Sequence, residues 1–277
     1  MRIIHLSDTH FATRPESLFS ACFDKRILGL LNYLTRRRGK MHNEYLTETV
    51  DTILGMKPDI VVCSGDITVI GSEREFEGAT RRLNPLVESS EFDFIYVPGN
   101  HDAYSGSRRC RVALQNAFFK LNRERWKLDE LPQELRIGNV RFFVVNEDRP
   151  TNIFLSSGYI QGKTAECLSS WFDAPREDNE VRVLVGHHPT RLANGKRTAF
   201  RRRLVGGELI HDALINGRLD LSLCGHIHDP FIRNFDSGAR EICAGSLTTN
   251  GRMVEIDVDD STGRTEVKWL TRTGEPL

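Results

Sequence analysis

The sequence predicts a mixed α/β (α+β) fold, a sheet system covered by helices, on two observations. Short β-rich apolar runs alternate with segments of helical periodicity, and the early order is β-α-β-α-β. After residue 228 the pattern becomes strands alone, separated by turn signals. Ile3 to Leu6, Asp59 to Cys63, Phe94 to Val97, Val181 to Val185 and Leu219 to Cys224 read as buried strands, because each is apolar and bounded by Gly, Asp or Pro. Helices are expected over Asn43 to Leu54, Glu73 to Val87, Arg108 to Leu128, Gly162 to Phe172 and Leu204 to Ile215. The all-β part, from about residue 229, comprises Phe231 to Phe235, Arg240 to Ala244, Met253 to Val258 and Glu266 to Leu270. No repeat, low-complexity tract or linker interrupts residues 1–277, so one domain is expected.

One segment stands apart. Phe19, Phe23, Ile27, Leu30 and Leu34 recur at helical spacing, and Arg36-Arg37-Arg38-Gly39-Lys40 follows at once. A helical, basic segment at about 18–42 is therefore expected. It either covers one edge of the core with a solvated basic end, or meets a membrane surface or an acylated anionic substrate through residues 19–40.

Lys plus Arg equals Asp plus Glu, 38 against 38, so no global field favours nucleic acid and none is expected as a partner. The six cysteines show no Cys-x-x-Cys spacing, and Cys63, Cys224 and Cys243 fall in apolar runs, which predicts reduced, buried thiols. The chain passes from Met1-Arg2 directly into its first strand without a leader pattern. The expected location is cytoplasmic, free or peripheral to the inner face of the membrane. Nothing in the sequence bears on oligomeric state.

Five polar fragments follow the apolar runs: Asp8-Thr9-His10, Gly65-Asp66, Gly99-Asn100-His101-Asp102, Gly186-His187-His188-Pro189 and Gly225-His226-Ile227-His228. Each thus sits at the carboxyl end of a strand, where sheet-based folds gather their binding loops. Alone, Asp66 reads as a cap or turn residue and Asp-x-His means little. Together, Asp8, His10, Asp66, Asn100, His187, His226 and His228 mix hard oxygen with imidazole nitrogen, a donor set suited to Mn²⁺ or Fe, with Zn²⁺ as a further candidate. Seven ligands exceed what one catalytic ion with an open position takes, and fit two divalent ions sharing a carboxylate. The glycines at 65, 99, 186 and 225, each just before a ligand, are expected to allow tight turns and close backbone approach.

These fragments, in this order from residue 8 to 228, resemble the calcineurin-like metallophosphoesterase superfamily. The resemblance implies a four-layer α-β-β-α sandwich and a dinuclear centre that hydrolyses phosphate esters or anhydrides through a metal-bridging hydroxide. It implies that Asp8, His10, Asp66 and His228 hold one metal and that Asp66, Asn100, His187 and His226 hold the other. It makes His101 the proton donor or phosphate-oxygen binder rather than a ligand, with Asp102 orienting its ring.

Among subfamilies, protein Ser/Thr phosphatases are set aside because Phe11 follows His10 and Ile67-Thr68-Val69 follow Asp66. Purple acid phosphatases carry a metal-binding Tyr three residues beyond the bridging Asp, where this chain has Val69. The sequence is similar to class III cyclic nucleotide phosphodiesterases, which implies a small phosphodiester or nucleotide-type substrate. The alternative is a UDP-2,3-diacylglucosamine-type pyrophosphate hydrolase at a membrane surface, favoured by residues 19–40 and weakened by His101, where the best-known such enzymes carry Arg. A non-catalytic scaffold ranks behind both, because no ligand position is lost.

Substrate contacts are expected from Asn100 and His101, and from Arg108, just beyond Asp102. His188 either faces substrate or closes its turn. Arg201-Arg202-Arg203 reads by default as a solvated face, although Leu192 to Arg203 follows Gly-His-His-Pro closely enough to lie over the site. Gly245 to Asn250 either rims the cleft or forms a hairpin loop. His5 reads as a hydrogen-bonded core residue, His211 as part of a helix and His42 as a surface residue.

Overall fold

The protein was analysed as a computed structural model that describes residues 1–13, 39, 41–152 and 154–277. The helical, basic segment expected at about 18–42 lies almost wholly outside the described residues.

Two sheets face each other. The first has five strands in the order β13-β12-β1-β2-β3, with β1 (Arg2–Leu6), β2 (Ile60–Cys63) and β3 (Asp93–Tyr96) parallel, and β12 (Arg252–Val258) antiparallel to β1 and to β13 (Thr265–Thr271). The second has six strands in the order β10-β11-β9-β7-β5-β4. Its parallel centre is β5 (Val140–Val144), β7 (Val181–Val185), β9 (Leu221–Cys224) and β11 (Arg240–Cys243), with β4 (Gln133–Ile137) and β10 (Phe231–Asn234) antiparallel at the edges. A short parallel pair, β6 (Gly158–Tyr159) with β8 (Leu204–Val205), joins two loops.

Strand alternation builds the layers, because successive side chains leave opposite faces. On β5, Val140, Phe142 and Val144 enter the core between the sheets, while Phe143 turns outward to Leu168 and Phe172 of α4 (Lys163–Asp173) and Ile210 and Leu214 of α5 (Glu208–Ile215). On β7, Val183 and Val185 face inward and Leu184 outward. The first sheet is covered by α1 (Asn43–Met56), α2 (Glu73–Glu88) and α3 (Arg108–Leu121), whose apolar stripes join the same large core. The result is the expected α-β-β-α sandwich.

Element boundaries show where local sequence was overruled. The helix expected to run to Leu128 stops at Leu121, because the Asn122 amide donates to Tyr96 O and accepts from Tyr96 N, tying the chain to β3. Leu204 and Val205 form β8, and a turn at Gly206 (φ +80°) delays α5 to Glu208. The part after residue 228 is not strands alone: α6 (Leu247–Asn250) interrupts it and ends at Gly251, φ +62°. The strands β4 and β5 were not among the sequence expectations, although Val140-Arg141-Phe142-Phe143-Val144-Val145 is an apolar run like the others.

Candidate metal centre

The parallel strands β1, β2, β3, β7 and β9 all end at one place. Beyond β1 and β2 the chain keeps its pairing, with Asp8 N, His10 N and Phe11 N donating to Gly65 O, Asp66 O and Ile67 O. The two loops are thereby locked side by side. Asp8 (φ 51°), His10 (φ 40°), Asp66 (φ 55°), His226 (φ 68°) and His228 (φ 63°) all adopt the left-handed region, so five of the seven expected ligands are strained. Such strain persists only where surrounding contacts over-determine it, as in ligand clamps.

Donor atoms of Asp8, His10, Asp66 and His228 lie within 4.8 Å of one another. His228 Nε2 is 3.1 Å from Asp8 Oδ1 and 2.9 Å from His10 Nε2. Beside them, His187 Nε2 is 3.4 Å from Asp66 Oδ2, and His226 Nδ1 is 2.7 Å from Asn100 Oδ1. Asp66 touches both groups, as the bridging role requires.

Second contacts fix which ring nitrogen faces inward. His10 Nδ1 meets Thr68 O at 3.0 Å and His187 Nδ1 meets Ser64 O at 2.7 Å, so the N–H lies on Nδ1 and the lone pair on Nε2. His226 is reversed, with Nε2 at 3.1 Å from Arg202 O and Nδ1 turned to the site. Asp8 Oδ2 accepts from Ser7 Oγ and from His226 N, and Asp66 Oδ1 accepts from His101 N. Their other oxygens, Asp8 Oδ1 and Asp66 Oδ2, and His187 Nε2 are buried without a hydrogen bond. Orphaned buried atoms of this kind are costly unless a cation satisfies them, and here they converge. The donor set therefore fits two divalent ions.

The electrostatics agree. Burial opposes charge on Asp8, yet the histidines at 228, 10 and 187 hold its carboxyl well below the usual range. Asp66 is likewise lowered, burial being outweighed by His187, His101 and His10. Burial together with the charges of His188 and His187 pushes His226 well down, which keeps it a neutral donor.

The glycines before the ligands leave no room for a side chain, as Gly65 and Gly225 show. Gly65 has φ +101°, and a Cβ there would stand 2.6 Å from His187 Nδ1. At Gly225 a Cβ would overlap Ser7 Oγ and Asp8 Oδ2.

His101 lies in the same cluster, its ring 5.0 Å from that of His10 and stacked 5.4 Å from Tyr104. Its Nδ1 meets Val69 O at 2.5 Å. The expectation that Asp102 orients this ring is corrected. The Asp102 carboxylate accepts from Ile67 N, Thr68 N, Thr68 Oγ1, Tyr96 Oη and Gly99 N, and so ties the Asp66 loop to the Gly99 turn. Burial, with Asp66 nearby, raises it to about 6.

Of the two readings of His188, its contacts favour the one that closes the turn. Its ring is buried, with Nδ1 3.3 Å from Glu147 Oε2 and 3.6 Å from Asp148 Oδ2, and Nε2 3.1 Å from Ser156 O. Glu147 Oε2 additionally accepts from His187 N and His188 N, bracing a ligand loop. Sequence reasoning missed Glu147 and Asp148, which follow the unmarked strand β5 just as the other fragments follow theirs. Arg108 is exposed at the start of α3 and makes no hydrogen bond or ion pair with the ligand set among the described residues. The Gly245 to Asn250 segment touches the site, since Ser246 Oγ donates to Asp8 O. His5 is the expected core residue, with Nε2 2.8 Å from Ser64 Oγ, and burial lowers it to about 3.

A family model described as calcineurin-like phosphoesterase matches residues 1–230. The chain belongs to this family. It is 23% identical over 204 residues to a glycerophosphodiester phosphodiesterase of Enterobacter lignolyticus, covering 71% of this chain and 60% of that protein. A probable glycerophosphodiester phosphodiesterase of Arcobacter nitrofigilis is 26% identical over 180 residues, covering 62% and 57%. The match thus spans less than two thirds of either relative. Among solved structures, a dimetal phosphatase from Danio rerio aligns over 100% of this chain and 97% of its own, at 14% identity and TM-score 0.58. A purple acid phosphatase from yellow lupin aligns over 100% and 52%, at 12% identity and TM-score 0.62. These likenesses are of fold.

Proposed function

We propose that this family member is a metal-dependent phosphoesterase that cleaves small phosphodiesters at a dinuclear centre. The observation that carries the reading is the convergence of Asp8 Oδ1, Asp66 Oδ2 and His187 Nε2, buried and unsatisfied, beside His10 and His228. Asp8, His10, Asp66 and His228 would hold one ion, and Asp66, Asn100, His187 and His226 the other. When bound, such a pair acidifies water and takes up charge on phosphate oxygens. Manganese or iron suits the donors best, with zinc next.

The protein groups do the rest. His101, whose ring is held through Nδ1 by Val69 O, would exchange a proton with the leaving oxygen. Asp102 is a positioning residue that holds the Asp66 and Gly99 loops together. Among diesters, the names of the two relatives favour a glycerophosphodiester over a cyclic nucleotide, which stays the next choice. Cys63, Cys224 and Cys243 are buried thiols, which suits a cytoplasmic setting. No helix among the described residues is long and apolar enough to cross a membrane.

The test is metal analysis of the purified protein together with hydrolysis of bis(p-nitrophenyl) phosphate, glycerophosphocholine, cyclic AMP and UDP-diacylglucosamine. Two transition-metal ions per chain and turnover of the first two substrates are expected. Fewer than one ion per chain, or no hydrolysis of any of the four in the presence of Mn²⁺, would overturn the proposal.

A further inference from the structure

The Arg202 carbonyl that orients His226 belongs to a loop whose outer side is unlike the rest of the molecule. From Pro189 to Gly207 the chain carries Arg191, Lys196, Arg197, Arg201, Arg202 and Arg203 and no acidic residue, although Lys plus Arg equals Asp plus Glu over the whole sequence. Arg201, Arg202 and Arg203 are exposed, and none has a carboxylate partner among the described residues. Phe200, in the short 3-10 turn Phe200–Arg202, is 67% exposed, and Phe154 on the adjoining loop is 65% exposed. These are the two most exposed large apolar side chains among the described residues.

The two loops are zipped together. Ser156 N donates to Arg201 O at 2.8 Å, Ser157 Oγ to Phe200 O at 3.3 Å and Gly158 N to Arg203 O at 3.2 Å, and β6 pairs with β8. Arg201 lies over the Phe154 ring at 5.9 Å and Arg203 over the Phe200 ring at 4.6 Å. Guanidinium and ring are therefore presented in pairs, on a rigid base fixed to a metal ligand. Next to Phe200 is a cavity of about 310 Å³ lined in part by Thr190, Arg197, Thr198, Arg203 and Glu208. Arg197 is paired with Glu208 at 2.7 Å, which leaves Arg203 as its uncompensated cation.

We propose that this face docks on an anionic lipid bilayer. Phe154 and Phe200 enter the headgroup boundary and Arg201 and Arg203 meet lipid phosphates, whereas Arg202 Nη2 donates to His226 O at 3.5 Å and stays with the ligand loop. Exposed aromatic rings are costly in water and favourable at that boundary, while clustered cations supply attraction to anionic lipid. Docking there does not depend on which diester is hydrolysed.

The test uses the full chain and vesicles of phosphatidylcholine, with and without about one third phosphatidylglycerol. The wild type is expected to sediment with the anionic vesicles, less so at high salt. Phe154→Ser combined with Phe200→Ser is expected to cut binding at least tenfold while hydrolysis of bis(p-nitrophenyl) phosphate stays within twofold. As a readout independent of that pair, Phe154→Trp should show a blue-shifted emission increment over wild type on addition of anionic vesicles. Wild-type protein that hydrolyses the soluble diester but does not sediment would overturn docking without touching the proposed activity. So would a Phe154→Trp emission that does not respond to vesicles, or one shifted equally by glycerol phosphate alone, which would assign the patch to a soluble ligand.

Discussion

A carboxylate oxygen with no hydrogen bond in the protein interior needs a reason, and Asp8 Oδ1 and Asp66 Oδ2 share one. Each carboxylate spends its other oxygen on backbone or hydroxyl donors, which aims the orphaned oxygen inward. His101 differs from its neighbours at this scale, since its backbone N–H, not its ring, holds Asp66. His101→Ala should therefore leave close to the wild-type metal content while lowering turnover roughly 10²–10⁴-fold, the usual worth of a proton donor. Plasma emission spectrometry alongside diester kinetics checks this. Loss of metal in that variant would make His101 a ligand.

Elements carry the strain that single residues cannot. The loops after β1 and β2 hold left-handed Asp and His residues because their backbones hydrogen-bond to each other and Asp102 clamps them to the turn after β3. The start of α2 shows a second device, a capping box in which Ser72 Oγ accepts from Glu75 N and Glu75 Oε2 accepts from Ser72 N. Glu75 also accepts from Ile70 N, and burial raises its carboxyl to about 7. The folded state thus binds this proton more tightly than the unfolded chain, whose carboxyl sits near 4.5. Its contribution to stability is greatest below pH 4.5, declines as pH rises to about 7 and is constant above. Glu75→Gln keeps an acceptor for both N–H groups and does not titrate. Its stability relative to wild type should therefore rise between pH 5 and pH 8, by at most about 3 kcal/mol. A difference that is flat with pH in calorimetric scans would remove the account of Glu75.

At the scale of the whole molecule, two sheets with parallel centres bring strand ends 220 residues apart in sequence into one cluster, from Asp8 to His228. That convergence concentrates two buried carboxylates and at least four imidazoles, whose mutual placement is relieved when cations occupy the donors. Removing metal with a chelator should lower the melting temperature by about 5 °C or more, and Mn²⁺ should restore it. Occupancy at a hundredfold over Kd contributes ≈ 2.7 kcal/mol, and a chain of this size shifts by about 2 °C per kcal/mol. Unchanged thermal scans with and without chelator would show that these residues do not bind metal in the folded state.

The strands, the helix stripes and the polar fragments whose side chains meet in one cluster were legible in the sequence, because period-2 and period-3.6 patterns and Gly-flanked polar fragments are local in the chain. Helix ends were not, since Asn122 stops α3 by reaching β3 and Gly206 turns the chain into α5. Nor were the partners of the functional side chains. That Val69 O rather than Asp102 holds the His101 ring, that Glu147 braces His187, and that the Arg202 carbonyl orients His226 are contacts between segments 24 to 41 residues apart. The sequence determined which chemistry the chain carries, because residue types fix donors and charges. Only the tertiary structure decided which atoms face the ions and which merely hold them, because orientation is set by hydrogen bonds to backbone brought near by the fold.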